Sequence, residues 1–172
     1  MKECQKCGLT IYNDTDNYCI NCKKIFENHF TPSPPTEWLI PCNTKHYDII
    51  KAIKDHDIVY WRARALVNKN DIVYLYLRGE FTCLIKTLVC DTNKKEEDLP
   101  YDDSQYYINW GKKSKRDYFF LTNFVLIYDE RISLDNFNKK GLKGNIRSPI
   151  ILDNFPKLLE YIHEIENKPK SI

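Results

Sequence analysis

Four cysteines crowd the start of the chain as Cys4-x-x-Cys7 and Cys19-x-x-Cys22. Two intervening residues let both thiolates of one knuckle reach a single ion. The stretch between the knuckles is long enough for a short hairpin that returns the second pair to the first. Four thiolates suit zinc, which accepts tetrahedral sulfur ligation and brings no redox chemistry. A closed shell of protein sulfurs leaves no position for a reacting water. The expectation is a zinc ribbon: one structural Zn2+ held by Cys4, Cys7, Cys19 and Cys22, which folds its segment rather than catalysing. Two disulfides or four free thiols are the competing readings of these residues. No signal-peptide pattern points to an oxidising compartment, so reduced cysteines and a cytoplasmic location are expected.

A second chemistry-bearing pattern sets aromatics beside cations. Trp61 leads into Arg62 and Arg64, and Trp110 stands before Lys112, Lys113, Lys115 and Arg116. Stacking on bases and pairing with phosphates need that combination. A third basic run, Lys139, Lys140, Lys143 and Arg147, surrounds Gly141 and Gly144. Against these stands an acidic loop of Glu96, Glu97, Asp98, Asp102 and Asp103. The formal net charge is only +2, so any case for nucleic acid rests on local patches. Each run is also what an ordinary solvated face would carry.

Catalysis finds little support. His29, His46, His56 and His163 are scattered without metal-ligand or triad spacing, and no P-loop, G-x-G-x-x-G, G-x-S-x-G or HNH pattern occurs. Cys42, Cys83 and Cys90 lie on or beside strand-like segments and read as small core hydrophobes. Cys42 near Asn43 and His46 only loosely imitates a nucleophile pair. The chain is therefore expected not to be an enzyme. No apolar run approaches the roughly 20 residues of a membrane span, so no membrane partner is expected.

The elements that must position these residues fall into three parts. The ribbon occupies residues 1–30, where Ile11, Tyr12, Tyr18, Ile25 and Phe26 make only a small apolar cluster. Residues 31–36 hold Pro32, Pro34 and Pro35 and read as a stiff extended linker. Residues 37–167 form the body, the one part long enough to bury a full core. Within it, strands are predicted at 37–41, 57–61, 72–77, 81–90 and 118–128. A helix follows from the spacing of Tyr47, Ile49, Ile50 and Ile53, with Asn43 or Thr44 as N-cap. Ser133 caps a short helix over 134–140 that Gly141 ends. Phe155, Leu158, Leu159, Ile162 and Ile165 give the last helix its apolar stripe, capped by Asp153 or Asn154. Five or six strands with peripheral helices indicate an α+β fold, a small mixed β-barrel.

The order of certain strings adds a family resemblance. Trp38-Leu39-Ile40-Pro41-Cys42-Asn43, then Asp57-Ile58-Val59-Tyr60-Trp61, then Lys69-Asn70-Asp71-Ile72-Val73-Tyr74-Leu75-Tyr76 resembles an EVE domain of the PUA-like superfamily. The stretch Gly141-Leu142-Lys143-Gly144-Asn145-Ile146-Arg147-Ser148-Pro149 is similar to the closing segment of such domains. One departure is Asn70, where the family usually has glycine; asparagine tolerates the left-handed conformation such a turn requires.

The resemblance implies a PUA-like barrel and a non-catalytic reader of one modified base, swung out of its stack as in the related YTH-type readers. Modified cytosine in DNA is the implied target. It also implies base-binding roles for Trp61 as a pocket wall, Asn43 as an edge reader, and Trp38. Trp110, in a polar stretch, is a further candidate wall or stacking platform. Each has a plainer alternative, Trp61 and Trp38 as core and Asn43 as a helix cap. Arg62, Arg64, Lys112, Lys113 and Arg116 are the candidate phosphate contacts, which fix register without reading sequence. Two other readings stay open: an RNA-binding PUA-like protein, and an adaptor whose ribbon docks a separate effector protein.

Overall fold

The computed structural model describes residues 2–3, 10–11, 34–63, 65–78, 82–108 and 117–168. The chain divides into two compact units, Met1–Pro34 and Pro35–Ile172. In the first, β1 (Lys2–Glu3) pairs antiparallel with β2 (Thr10–Ile11) in the register Lys2↔Ile11 and Glu3↔Thr10. The four cysteines of the expected zinc site lie outside the described residues.

The second unit is built on one mixed sheet. Its strands are β3 (Glu37–Cys42), β4 (Val59–Arg62), β5 (Ile72–Leu77), β6 (Cys83–Lys94), β7 (Tyr118–Ile127) and β8 (Ile150–Ile151). They lie in the order β4-β7-β6-β5-β3-β8. All neighbours are antiparallel except β3 and β5, which run parallel. The helices are α1 (Ile49–Asp55), α2 (Leu134–Lys139) and α3 (Pro156–Asn167). The α+β class thus holds. The sheet itself is open, with β4 and β8 as edges, and no pairing among the described residues closes it into a barrel.

Strand alternation sorts the core into two layers. Trp38, Ile40, Cys42, Val73, Leu75, Leu77, Ile85 and Val89 share a cluster with Ile49 and Ala52 of α1. Leu39, Tyr74, Tyr76 and Leu84, one register position over, pack instead with Phe137 of α2 and with Leu158, Ile162 and Ile165 of α3. The α3 stripe is therefore the one its spacing predicts. Both faces of β5 are buried, which explains its uninterrupted apolar run. Among the described residues, no helix is long and apolar enough to cross a membrane.

Element boundaries show which local signals won. Ser133 caps α2 as expected, accepting from Asn136 N at 3.2 Å, and Gly141 follows at φ +106°, the left-handed stop that glycine adopts without strain. The α1 cap is Asp48, which accepts from Lys51 N at 3.0 Å, rather than Asn43 or Thr44. Asn43 instead forms a turn of its own: its Oδ1 accepts from Lys45 N at 3.0 Å, and its carbonyl accepts from His46 N and Tyr47 N. Neither Asp153 nor Asn154 caps α3; they sit in a 3-10 turn, and Pro156 opens the helix after Phe155. β6 extends past Cys90 to Lys94 because register shifts against β7 absorb the mismatch. Asn70 has φ +74°, the left-handed turn that its sequence position calls for.

The stretch after β7 is pinned by Arg131. Its guanidinium grips Asp129 with two hydrogen bonds of 2.7 Å, while its carbonyl accepts from Asn136 and Tyr161. The grip holds the Asp129 carboxyl down from 3.8 to about 2. A depressed carboxylate contributes stability that is fully present above its ordinary pKa and lost as pH falls through the folded value. Asp129→Asn should therefore cost about 1–2 kcal/mol at neutral pH, after allowing for partial exposure. The penalty should shrink between about pH 4 and pH 2, and urea titrations of both proteins across that range check it.

Candidate functional site

Residues chosen from the sequence converge on one cavity. Ile40, Pro41, Cys42 and Asn43 come from the end of β3, with His46 and Tyr47 from the turn that follows. Tyr60, Trp61 and Arg62 come from β4, Phe119 from β7, Tyr107 from the segment between β6 and β7, and Ile146, Arg147 and Pro149 from the segment before β8. Together with Ala65 they line a pocket of about 480 Å³. β3 and β4 are separated by three strands in the sheet order. A flat sheet would hold them at least about 19 Å apart, at ~4.8 Å per strand spacing. Both nevertheless line the same cavity, so the open sheet curls towards itself.

The aromatic walls brace one another. Tyr47 meets Trp61 edge-on at 5.9 Å between ring centroids and 86° between planes, and meets Tyr107 at 4.9 Å and 68°. Backbone contacts hold this corner: Tyr47 and Tyr107 form an isolated β-bridge, Ile108 N donates to the His46 carbonyl at 3.0 Å, and Asp48 N donates to the Tyr106 carbonyl at 2.8 Å. Edge-to-face packing of this kind stabilises rings beyond the area they bury. Trp61 pairs with Phe119 across β4 and β7 and remains half-buried, so one part of the ring is core and another faces the cavity.

Beneath the rings lies a carboxylate. The sequence places Asp103 in a solvated acidic loop, but it is buried, at 6% exposure. Its backbone N–H donates to the Tyr60 hydroxyl at 2.9 Å, and that hydroxyl donates to the Tyr101 carbonyl at 2.8 Å. Burial first, and the Asp103 charge next, push the Tyr47 and Tyr101 hydroxyls far up and bring Tyr107 to about 12. These phenols stay protonated at neutral pH, so the walls are uncharged. Burial and the neighbouring Cys83 likewise push the Cys42 thiol up to about 12. A thiol so disfavoured as thiolate is a poor nucleophile, and Cys42 serves as apolar wall.

The polar groups of the pocket are mostly donors. Arg62 is half-buried and its buried Nε makes no hydrogen bond among the described residues. Arg147 is exposed. Asn43 is exposed and spends its Oδ1 on the turn, which leaves its amide N–H groups to face a ligand. Among the described residues, no aspartate or glutamate lines the cavity.

The remaining candidates separate. Trp38 does not reach the pocket. It is buried in the core, where Nε1 donates to Asp71 Oδ2 at 2.9 Å. Trp38 stands near the start of β3, paired with Val73 and Ile151, two residues short of Ile40, where the strand begins to line the cavity. Arg64, Trp110, Lys112, Lys113 and Arg116 lie outside the described residues. Tyr47, Tyr60, Tyr107 and Phe119 were not singled out from the sequence. Their one local signal is Tyr60 beside Trp61; the others are brought in by folding alone. The chain matches no protein-family model, no curated protein and no solved structure.

Proposed function

We propose that this protein is a non-catalytic, cytoplasmic nucleic-acid reader that takes one modified base into the aromatic pocket. The carrying observation is convergence: Asn43, Trp61 and Arg62 line one cavity walled by Tyr47, Tyr60, Tyr107 and Phe119. Its volume of about 480 Å³ falls within the ~300–1,000 Å³ typical of small-molecule sites. An extruded base loses its stacking partners, and aromatic walls replace them. The curled sheet supports a PUA-like, barrel-related reading, and the resemblance to EVE domains favours modified cytosine in DNA as the ligand. Arg64, Lys112, Lys113 and Arg116 would add phosphate contacts along the strand.

The test is binding to matched DNA oligonucleotides that differ in a single cytosine modification, with RNA counterparts as a second arm. Tighter binding to one modified DNA supports the reading. A preference confined to RNA moves the protein to the RNA-binding alternative. Equal binding to all of them sinks base reading and leaves the adaptor, in which the N-terminal unit docks an effector protein.

For that unit we propose one structural zinc. The β1–β2 pairing supports it, because it brings together the residues on either side of the first C-x-x-C. Cys4, Cys7, Cys19 and Cys22 would hold the ion, which supplies cross-linking and no reaction. Elemental analysis of the purified protein should find one zinc per chain, and Cys19→Ser should lose it. A metal-free wild type, or a variant that retains full zinc, contradicts the site.

A further inference from the structure

The pocket holds more than a base requires. Two arginines reach it from segments far apart in the chain: Arg62 at the end of β4, and Arg147 in the segment that runs from α2 to β8. Among the described residues neither has a carboxylate partner: the ion pairs fall on Lys86, Lys94, Lys95, Arg131 and His163. No acidic side chain among the described residues lines the cavity. Uncharged aromatic walls therefore meet two guanidinium groups that have no ion pair among the described residues. A neutral base uses the rings and leaves the guanidiniums idle. A base carrying its own phosphate uses both.

The segment carrying Arg147 is shaped for this place. Gly141 and Gly144 take φ +106° and +76°, conformations that other residues adopt only with strain. They turn the chain out of α2 so that Ile146, Arg147 and Pro149 reach the cavity. Ile146 also packs on the α2–α3 core layer, which anchors the arginine's neighbour while Arg147 itself stays exposed.

Resting on the base-reading proposal, we infer that Arg147, together with Arg62, forms a phosphate subsite for the same nucleotide whose base enters the pocket. The ligand is then a nucleotide, base and adjoining phosphate, rather than a base alone. Arg147 differs in kind from cations that track the strand elsewhere, because its contact belongs to one linkage. Guanidinium suits the task because its planar fork matches phosphate oxygens in pairs.

A two-by-two comparison tests this. The preferred modified oligonucleotide is made with natural phosphates, or with one uncharged methylphosphonate at the linkage 5′ or 3′ to the modified nucleotide. Each is titrated against wild type and Arg147→Ala. Wild type should lose about tenfold in affinity at one of the two linkages, the scale of a charge-assisted hydrogen bond. Arg147→Ala should bind the natural strand about tenfold more weakly and lose less than about twofold more on neutralisation of that linkage. A methylphosphonate several nucleotides away should weaken both proteins alike. Arg147→Lys should recover part of the loss, as a point charge without the fork. Independent, additive losses at both flanking linkages overturn the subsite while a persisting preference for the modified base leaves the reader intact. Absence of that preference in wild type removes both. Arg147 is exposed, so a matching thermal melt is expected for the variant.

Discussion

Asp71→Ala is expected to destabilise the second unit by about 3 kcal/mol or more. Asp71 is 3% exposed and its carboxylate gathers three donors. Oδ2 accepts from Trp38 Nε1 at 2.9 Å and Asn68 N at 2.8 Å, and Oδ1 accepts from Thr36 N at 3.0 Å. One side chain thus ties the approach to β3, the tryptophan on β3 and the turn before β5. Its backbone also exchanges with β6, where Val89 N donates to the Asp71 carbonyl at 2.9 Å. Removing the carboxylate strands the buried Trp38 donor, at a cost of about 1–3 kcal/mol, and also the part-buried Thr36 and Asn68 N–H groups, which add to it. Asp71→Asn keeps one acceptor oxygen and should fall between. Urea unfolding measures both, and an Asp71→Ala protein within about 0.5 kcal/mol of wild type would show that the cluster is not the anchor described. The consequence reaches the pocket, because β3 carries Ile40, Pro41, Cys42 and Asn43 to its wall.

Trp61→Ala should reduce affinity for the preferred modified oligonucleotide about tenfold or more. Stacking of a base on an aromatic wall is worth roughly 1–3 kcal/mol, and Trp61 is the wall braced edge-on by Tyr47. Weak binding to unmodified nucleic acid should persist, since phosphate contacts remain. The variant will also lose some stability, because part of the indole packs on the core, so a thermal melt must accompany the titration. Asn43→Ala separates the two effects. Asn43 is exposed and caps no helix, so its loss should leave folding nearly unchanged while discrimination between modified and unmodified base falls. If Trp61→Ala unfolds readily and the folded fraction keeps full affinity, the ring is core and not a reader.

Much of the local structure was legible in the chain. The apolar stripe of α3, the Ser133 cap, the glycine stop at Gly141 and the left-handed turn at Asn70 follow from spacing, side-chain acceptors and backbone freedom, which act over a few residues. Trp61, Arg62 and Asn43 were legible as candidates because an aromatic beside cations, or an amide beside a strand end, is visible without a fold. Trp38 and Trp61 look alike in sequence, each on a strand with apolar neighbours. Their places in the fold separate them: Trp38 lies near the start of β3, short of the cavity, and gives its indole N–H to Asp71, whereas Trp61 lies on the edge strand β4 where it lines the cavity.

What tertiary structure alone decided is the cavity. Tyr107 and Phe119 arrive from distant segments, and Arg147 comes from beyond α2, through sheet curl and glycine turns that no short window of sequence encodes. Asp103 shows the same limit from the other side. Composition puts it in water with its acidic neighbours, yet the fold buries it under four tyrosines whose hydroxyls it helps keep protonated. Caps, turns and stripes are local energies and are written locally. A pocket is made by long-range pairing, so its walls become neighbours only when the strands between them have found their order.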